Sequence, residues 1–126
     1  MIVGIGVDII EIERIGKAIQ NTKSFINKIF TENERAYFSS RSMNSEVIAG
    51  NFAAKEAISK ALGTGIRGFS FKDIEVLRDS KGKPIVTLHN GAKLIGNELA
   101  GNNTLRIHLS ISHNNSSAVA YAMLEV

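Results

Sequence analysis

The sequence contains no cysteine and no tryptophan, and Pro84 is its single proline. Without cysteine, the chain can form neither disulfides nor thiolate metal sites. Aromatic residues make up only 6% of the chain, and no run of lysine and arginine is interleaved with them. A base-stacking platform for nucleic acid is therefore not expected.

Long apolar runs are also missing. The opening stretch Met1–Val7 is apolar, but Asp8 interrupts it and no basic segment precedes it, which is not the pattern of a signal peptide. No stretch approaches the ~20 apolar residues that a transmembrane helix needs. We therefore expect a cytoplasmic protein with no membrane partner.

The composition that is present is ordinary for a globular fold, with 44% hydrophobic and 21% charged residues. A length of 126 residues predicts a single domain, residues 1–126. The formal net charge of +3 suits an acidic protein partner or a phosphorylated small molecule equally well.

The strongest helical pattern begins near Val47 and ends at Leu62. Small residues occupy every fourth position of one row, at Ala49, Ala53, Ala57 and Ala61. Side chains of this size let another backbone approach closely. Gly63 follows the last apolar residue and suits the left-handed end of a helix.

The remaining face of this helix carries Phe52, Glu56 and Lys60 at intervals of four residues. Two interpretations compete. In the first, Glu56 and Lys60 form an exposed ion pair that supports the helix by ~0.3–0.5 kcal/mol. In the second, a carboxylate and an ammonium are placed together to hold a metal and a phosphate. The spacing does not choose between them.

An alternating stretch from Ile2 to Ile9 predicts a strand. Gly4, Gly6 and Asp8 share one of its faces, so the glycines leave room for a ligand or a neighbouring backbone beside Asp8. Alternatively, the glycines mark a bulge and Asp8 only caps the helix that follows.

The other patterns predict a mixed fold. Thr31 and Glu34 form a capping box at the start of a helix. Leu105 to Ile111 alternates as a strand that leads into His113. Further helices are predicted at 11–19, 25–30 and 91–100, and further strands at 74–77, 85–89 and 118–126. This order predicts an α+β fold in which a largely antiparallel sheet packs against helices.

Three segments taken together are more specific than any one of them. They are Gly4-Ile5-Gly6-Val7-Asp8-Ile9, the tract from Phe52-Ala53-Ala54-Lys55-Glu56 to Gly65, and Ser110-Ile111-Ser112-His113. In this order they resemble the 4′-phosphopantetheinyl transferases, and the chain length and the middle tract are similar to the short bacterial class. The resemblance spans essentially the whole chain.

The resemblance implies a Mg²⁺-dependent transferase of fatty acid and lipid biosynthesis. Its members move the phosphopantetheine arm of coenzyme A to a serine of acyl carrier protein and release adenosine 3′,5′-bisphosphate. By the same resemblance, Asp8 and Glu56 would hold the Mg²⁺, Glu56 and Lys60 would be catalytic, and the coenzyme-binding residues would be Lys60 at the pyrophosphate, Gly63, and His113 at the nucleotide end. It further implies a homotrimer with active sites between subunits.

Two positions depart from the family pattern. Asn51 stands where arginine commonly precedes Phe52, so one basic contact is missing or supplied elsewhere. Ile10 stands where longer relatives carry a second acid, which leaves two carboxylates for the metal, a number that Mg²⁺ accepts. The sequence leaves open whether Glu56 or a metal-bound water accepts the serine proton.

The carrier proteins of such enzymes are acidic, so exposed basic residues are candidates for docking. Arg14, Lys17 and Lys28 qualify, and Arg14 is preferred because it is nearest the metal-binding strand.

Two other functions fit the sequence: a non-enzymatic basic module that binds an acidic protein, and a different Mg²⁺-dependent phosphoryl enzyme such as a small nucleotide pyrophosphatase.

Overall fold

The computed structural model describes residues 1–126 as five β-strands, five α-helices and one short 3₁₀ helix. In chain order these are β1 (Ile2–Glu11), α1 (Ile12–Asn21), α2 (Phe25–Ile29), α3 (Glu32–Ser40), α4 (Ser45–Ala61), the 3₁₀ helix (Phe71–Asp73), β2 (Ile74–Arg78), β3 (Pro84–Leu88), α5 (Asn90–Ala100), β4 (Arg106–His113) and β5 (Ser117–Glu125). None of the helices combines the length and the apolar character that a membrane crossing requires.

The strands form two antiparallel sheets. One has three strands in the order β1-β5-β4, and the other pairs β2 with β3. The α+β class and the antiparallel pairing predicted from the sequence are therefore confirmed, with the strands divided between two sheets. Pro84 opens β3, where a missing N–H is tolerated.

Helix α4 forms the centre of the protein and is buried on most of its surface. Against it lies the inner face of β5, whose residues Ala118, Ala120, Ala122 and Leu124 are all buried. The alanines on both elements keep the helix and the sheet close together. A second core, around Phe30, Phe38 and Ile48, joins α4 to the three preceding helices.

The two glycines of β1 face the backbone of α4. A Cβ atom on Gly4 would lie 2.0 Å from the carbonyl oxygen of Ala61, and one on Gly6 would lie 2.0 Å from that of Ala57. Of the two occupants that the sequence allowed for this bare face, the neighbouring backbone is the one found. The register of the strand is also irregular between Ile2 and Gly4.

We expect Gly6→Ala to destabilise the protein by about 3 kcal/mol or more, because the backbone carbonyl that it meets cannot move without displacing α4 from the sheet. Gly16→Ala is the matched control, since its Cβ would meet only the Ser45 hydroxyl, at 3.5 Å. That change, inside α1, should stabilise the protein by about 0.5–1 kcal/mol. Urea denaturation of both variants measures the difference, and equal stabilities would contradict the close packing.

The helix ends follow the local sequence. Thr31 and Glu34 form the expected capping box of α3, and Gly63 has the expected positive φ, at 89°, just after α4. Helix α4 starts at Ser45, behind the cap Asn44, two residues earlier than the apolar pattern indicated. The N-cap of α1 is Glu11, so the alternative role of Asp8 as a helix cap is wrong.

Candidate active site

Asp8, Glu56 and Lys60 lie together where β1 crosses the C-terminal half of α4. The Lys60 ammonium donates to Asp8 Oδ1 at 3.2 Å and to the Val7 carbonyl at 3.0 Å. The Asp8 side chain is only 18% exposed, whereas that of Lys60 is 51% exposed. The strand thus supplies a half-buried carboxylate, and the helix supplies a cation that solvent and ligands can reach.

Asp8 and Lys60 also influence the pKa of Glu56. Burial, followed by the negative charge of Asp8, raises the pKa of Glu56, while the charge of Lys60 opposes the rise. The ammonium of Lys60 pairs with Asp8, and no ion pair joins it to Glu56. The interpretation of Glu56 and Lys60 as an exposed helical ion pair is therefore wrong.

The donor set fits a Mg²⁺ ion. The negative charge of Asp8 contributes to the raised pKa of Glu56, and a divalent cation bound by both side chains would relieve that repulsion. No group of three or more His, Asp or Glu side chains in the chain could hold a metal by itself. A metal here would consequently keep coordination positions for phosphate oxygens and water.

We expect Glu56→Gln to raise the melting temperature at neutral pH in metal-free buffer. Because the pKa of Glu56 is raised in the folded protein, the folded state keeps a proton that the unfolded state has lost, and stability falls as pH rises through that interval. The gain in the variant should vanish below the ordinary glutamate pKa of about 4.3. Thermal melts across this pH range test it, with exposed Glu98→Gln as control; a lower melting temperature at neutral pH would contradict it.

Phe52 and Gly63 border this cluster without joining it. The Phe52 ring stacks between Phe25 and Phe71, at centroid distances of 6.1 and 5.5 Å, and so fixes the turn of α4 that precedes Glu56. Gly63 begins a loop in which Gly65 also has a positive φ. A Cβ on either glycine would meet nothing within 4 Å, so the loop beyond Lys60 offers open backbone.

His113 lies at the opposite end of α4. It ends β4, two strands away from β1, and its Nδ1 is 3.4 Å from the Glu46 carboxylate in the first turn of the helix. Ten residues separate Glu46 from Glu56, which corresponds to about 15 Å along an α-helix. Within one chain, His113 is therefore not part of the carboxylate cluster.

A separate cavity of about 280 Å³ adjoins His113. Tyr37, Glu46 and Arg78 also line it, together with Gly82 and Pro84 from the turn between β2 and β3. This volume lies just below the range of about 300–1,000 Å³ that is typical of small-molecule sites, so the cavity suits one end of a coenzyme-sized ligand.

The buried Asn51 is bonded on both sides. Its amide nitrogen donates to the Val76 carbonyl at 2.9 Å, and its oxygen accepts from Arg78 Nη2 at 2.8 Å. Asn51 thus stands where the family commonly has an arginine, and its side chain holds Arg78 in place.

Sequence reasoning missed a buried ion pair beside the cluster. Lys55 and Glu34 are both fully buried and are joined at 2.8 Å. Lys55 also donates to the carbonyls of Phe71 and Ile74, and burial lowers its pKa. One signal in the sequence could have indicated this pair. Lys55 adjoins Glu56 and lies four residues after Asn51, so Asn51 and Lys55 are two polar residues on one face of an alanine-rich helix.

The three basic residues considered for docking differ in their surroundings. Arg14 is exposed on α1, while Lys17 is exposed but paired with Glu13 at 3.2 Å. Lys28 lines a mainly apolar groove of about 490 Å³ together with Phe25, Ile29, Ile66 and Phe71. Arg14 forms no ion pair, which leaves its charge available to a partner.

The similarity of this chain to known proteins extends over almost its whole length. The sequence matches the family model of the 4′-phosphopantetheinyl transferase superfamily over residues 4–121. A holo-[acyl-carrier-protein] synthase from Clostridium perfringens is 76% identical over 126 residues, which is 99% of this chain and 95% of that protein.

Solved structures agree with this. The crystal structure of a holo-(acyl-carrier-protein) synthase from Bacillus anthracis in complex with CoA (3′,5′-ADP) has a TM-score of 0.79 at 45% identity, covering 99% of this chain and 97% of that one. The holo-[acyl-carrier-protein] synthase from Neisseria meningitidis has a TM-score of 0.86 at 35% identity, covering 100% of both chains.

Proposed function

The chain belongs to the 4′-phosphopantetheinyl transferase superfamily, and from that membership we propose that it transfers 4′-phosphopantetheine from coenzyme A to a serine of apo acyl carrier protein. The observation that carries the proposal is the cluster of Asp8, Glu56 and Lys60, which unites two segments 52 residues apart. Residues 1–126 would act as one transferase domain in the cytoplasm, in fatty acid biosynthesis.

In the proposed reaction, the serine hydroxyl attacks the β-phosphorus of the coenzyme, and adenosine 3′,5′-bisphosphate leaves with the bridging oxygen. Positioning and charge stabilisation dominate phosphoryl transfer of this kind. Asp8 and Glu56 would hold Mg²⁺, which when bound neutralises charge on the pyrophosphate.

The chain's own residues divide the remaining work. Lys60, held by Asp8 and the Val7 carbonyl, presents its ammonium to the pyrophosphate. Glu56 is the candidate side chain of this cluster for accepting the serine proton, because the Asp8 carboxylate is paired with Lys60. Gly63 supplies backbone that a ligand can approach without meeting a side chain.

A homotrimer with its active sites between subunits is part of the proposal. The outer face of the three-stranded sheet supports it, because Ile5, Val7 and Ile9 are 61%, 53% and 69% exposed and Tyr121 beside them is 43% exposed. A row of exposed apolar side chains of this kind favours an interface. A trimer would also bring the His113 end of one subunit to the carboxylate cluster of another.

Docking of the acidic carrier protein is assigned to Arg14, with the apolar groove beside Lys28 as an adjoining surface. We expect Arg14→Glu to raise the KM for carrier protein by about tenfold with little change in kcat, since it replaces attraction with repulsion. Lys93→Glu, an equal charge change on exposed α5, is the control. Steady-state kinetics at low and high salt measure the effect, and an unchanged KM would remove Arg14 from the docking surface.

One assay separates the proposed transferase from the two other functions. The protein is incubated with apo carrier protein, coenzyme A and Mg²⁺, and the intact mass of the carrier is measured. A mass increase by one phosphopantetheine group supports the transferase. Cleavage of coenzyme A without a modified carrier would indicate a pyrophosphatase, and carrier binding without either product would indicate a binding module.

A further inference from the structure

Two arginines that form no ion pair lie at the Tyr37 ring, beside the His113 cavity. The guanidinium carbons of Arg78 and Arg41 lie over the ring of Tyr37, at 5.3 and 5.7 Å from its centroid. Neither side chain takes part in an ion pair within the chain. The charge of Arg41 opposes that of Arg78, and an anion bound beside them would relieve this repulsion.

Arg78 is held in a fixed orientation. Its Nη2 donates to Asn51 Oδ1 at 2.8 Å, and its Nη1 donates to the Leu77 carbonyl at 3.2 Å. Asn51 is itself fully buried and anchored to the Val76 carbonyl at 2.9 Å. A guanidinium has five N–H donors in a planar fork, so these two bonds leave donors free for a further acceptor.

The lining of this cavity contains one lysine or arginine side chain, the guanidinium of Arg78. Glu46 is the one acidic residue in its lining, and that carboxylate lies 3.4 Å from Nδ1 of His113. No ion pair joins the guanidinium of Arg78 to a carboxylate, and a second cation, Arg41, lies at the same Tyr37 ring. A fixed, uncompensated guanidinium in a cavity is the arrangement that recognises phosphate groups.

Resting on the proposed function, we propose that Arg78 binds the 3′-phosphate of coenzyme A and that Asn51 is its positioning residue. The pyrophosphate of the coenzyme is required at Asp8, Glu56 and Lys60, which lie away from this cavity. The 3′-phosphate monoester is the coenzyme's one other anionic group, so it is the group left for a second cationic site. Arg78 is therefore a specificity-determining residue that separates coenzyme A from its 3′-dephospho form.

The test compares these two substrates in one enzyme. We expect Arg78→Gln to raise the KM for coenzyme A by about 10- to 100-fold, the loss of one charge-assisted contact, with little change in kcat. The KM for 3′-dephospho-coenzyme A should stay unchanged. Arg78→Lys, which keeps the charge but loses the fork, should give an intermediate KM for coenzyme A. Lys72→Gln, which removes an exposed cation outside the cavity, should affect neither substrate.

Binding without turnover gives a second readout. Isothermal titration with adenosine 3′,5′-bisphosphate should show weaker binding to Arg78→Gln than to the wild type, whereas adenosine 5′-monophosphate should bind both alike. Asn51→Leu should weaken the bisphosphate in the same selective way. Thermal melts of each variant confirm that it is folded, and Arg78→Lys replaces Arg78→Gln if the latter does not fold.

An equal change in KM for both substrates, or no change for either, would overturn the role of Arg78. Wild-type protein that transfers phosphopantetheine but does not distinguish the two coenzyme forms would also overturn it. Wild-type protein that transfers nothing would instead refute the proposed function, and the two failures are therefore distinguishable.

Discussion

Asp8→Asn and Glu56→Gln are each expected to lower the turnover of carrier modification by about 100- to 1,000-fold. Both changes keep the shape of the side chain and remove the charge that would hold Mg²⁺. Rates are measured from the intact mass of the carrier at saturating coenzyme A. Glu98→Gln, on the exposed surface of α5, is the matched control and should retain wild-type turnover.

Removal of the metal tests the same prediction in a second, independent way. A chelator should abolish the activity of the wild type, and added Mg²⁺ should restore it, whereas neither variant should be restored at the same concentration. Melting temperatures separate a lost site from a lost fold. Activity within a few-fold of the wild type in either variant would show that the carboxylate is a surface group, and would refute the metal assignment.

Mixed trimers of two inactive variants are expected to regain activity. Asp8→Asn and His113→Ala should each impair turnover alone, because the proposed site takes Asp8, Glu56 and Lys60 from one subunit and His113 from its neighbour. Unfolded together in equal amounts and refolded, they should assemble at random, and each interface then has about a one-in-four chance of joining two unmutated halves. Recovery should approach about a quarter of wild-type turnover per site.

The separation seen within one chain is the reason for this expectation. His113 contacts Glu46 at the start of α4, about 15 Å along the helix from Glu56. Native mass spectrometry of differently tagged variants shows whether the subunits have exchanged. Recovery no higher than the mean of the two single variants, in trimers that have exchanged, would mean that each site lies within one chain.

Local sequence patterns determined most of the secondary structure. The capping box of Thr31 and Glu34, the glycine end of α4 at Gly63 and the alternation of β4 all appear as predicted, because each depends on residues within one or two turns or along one strand. The family was also accessible from the sequence, since three segments carry the resemblance and the family model matches residues 4–121.

Contacts between distant residues were decided only by the tertiary structure. Lys60 had Glu56 one turn away as a partner, yet it pairs with Asp8, because the bare glycine face of β1 lets the strand run against α4. Lys55 reads as a surface lysine until Glu34, from another helix, meets it in the core. Arg78 likewise acquires its orientation from Asn51, 27 residues earlier.

The difference has a physical cause. A helix turn, a cap or a strand alternation is selected by interactions between near neighbours in the chain, so the local sequence specifies it. Whether a charged side chain is exposed, paired or left as a site depends on how much water the surrounding elements exclude and which partner they bring near. That is fixed only when α4 packs between the sheets and the preceding helices, and the candidate site exists because of that packing.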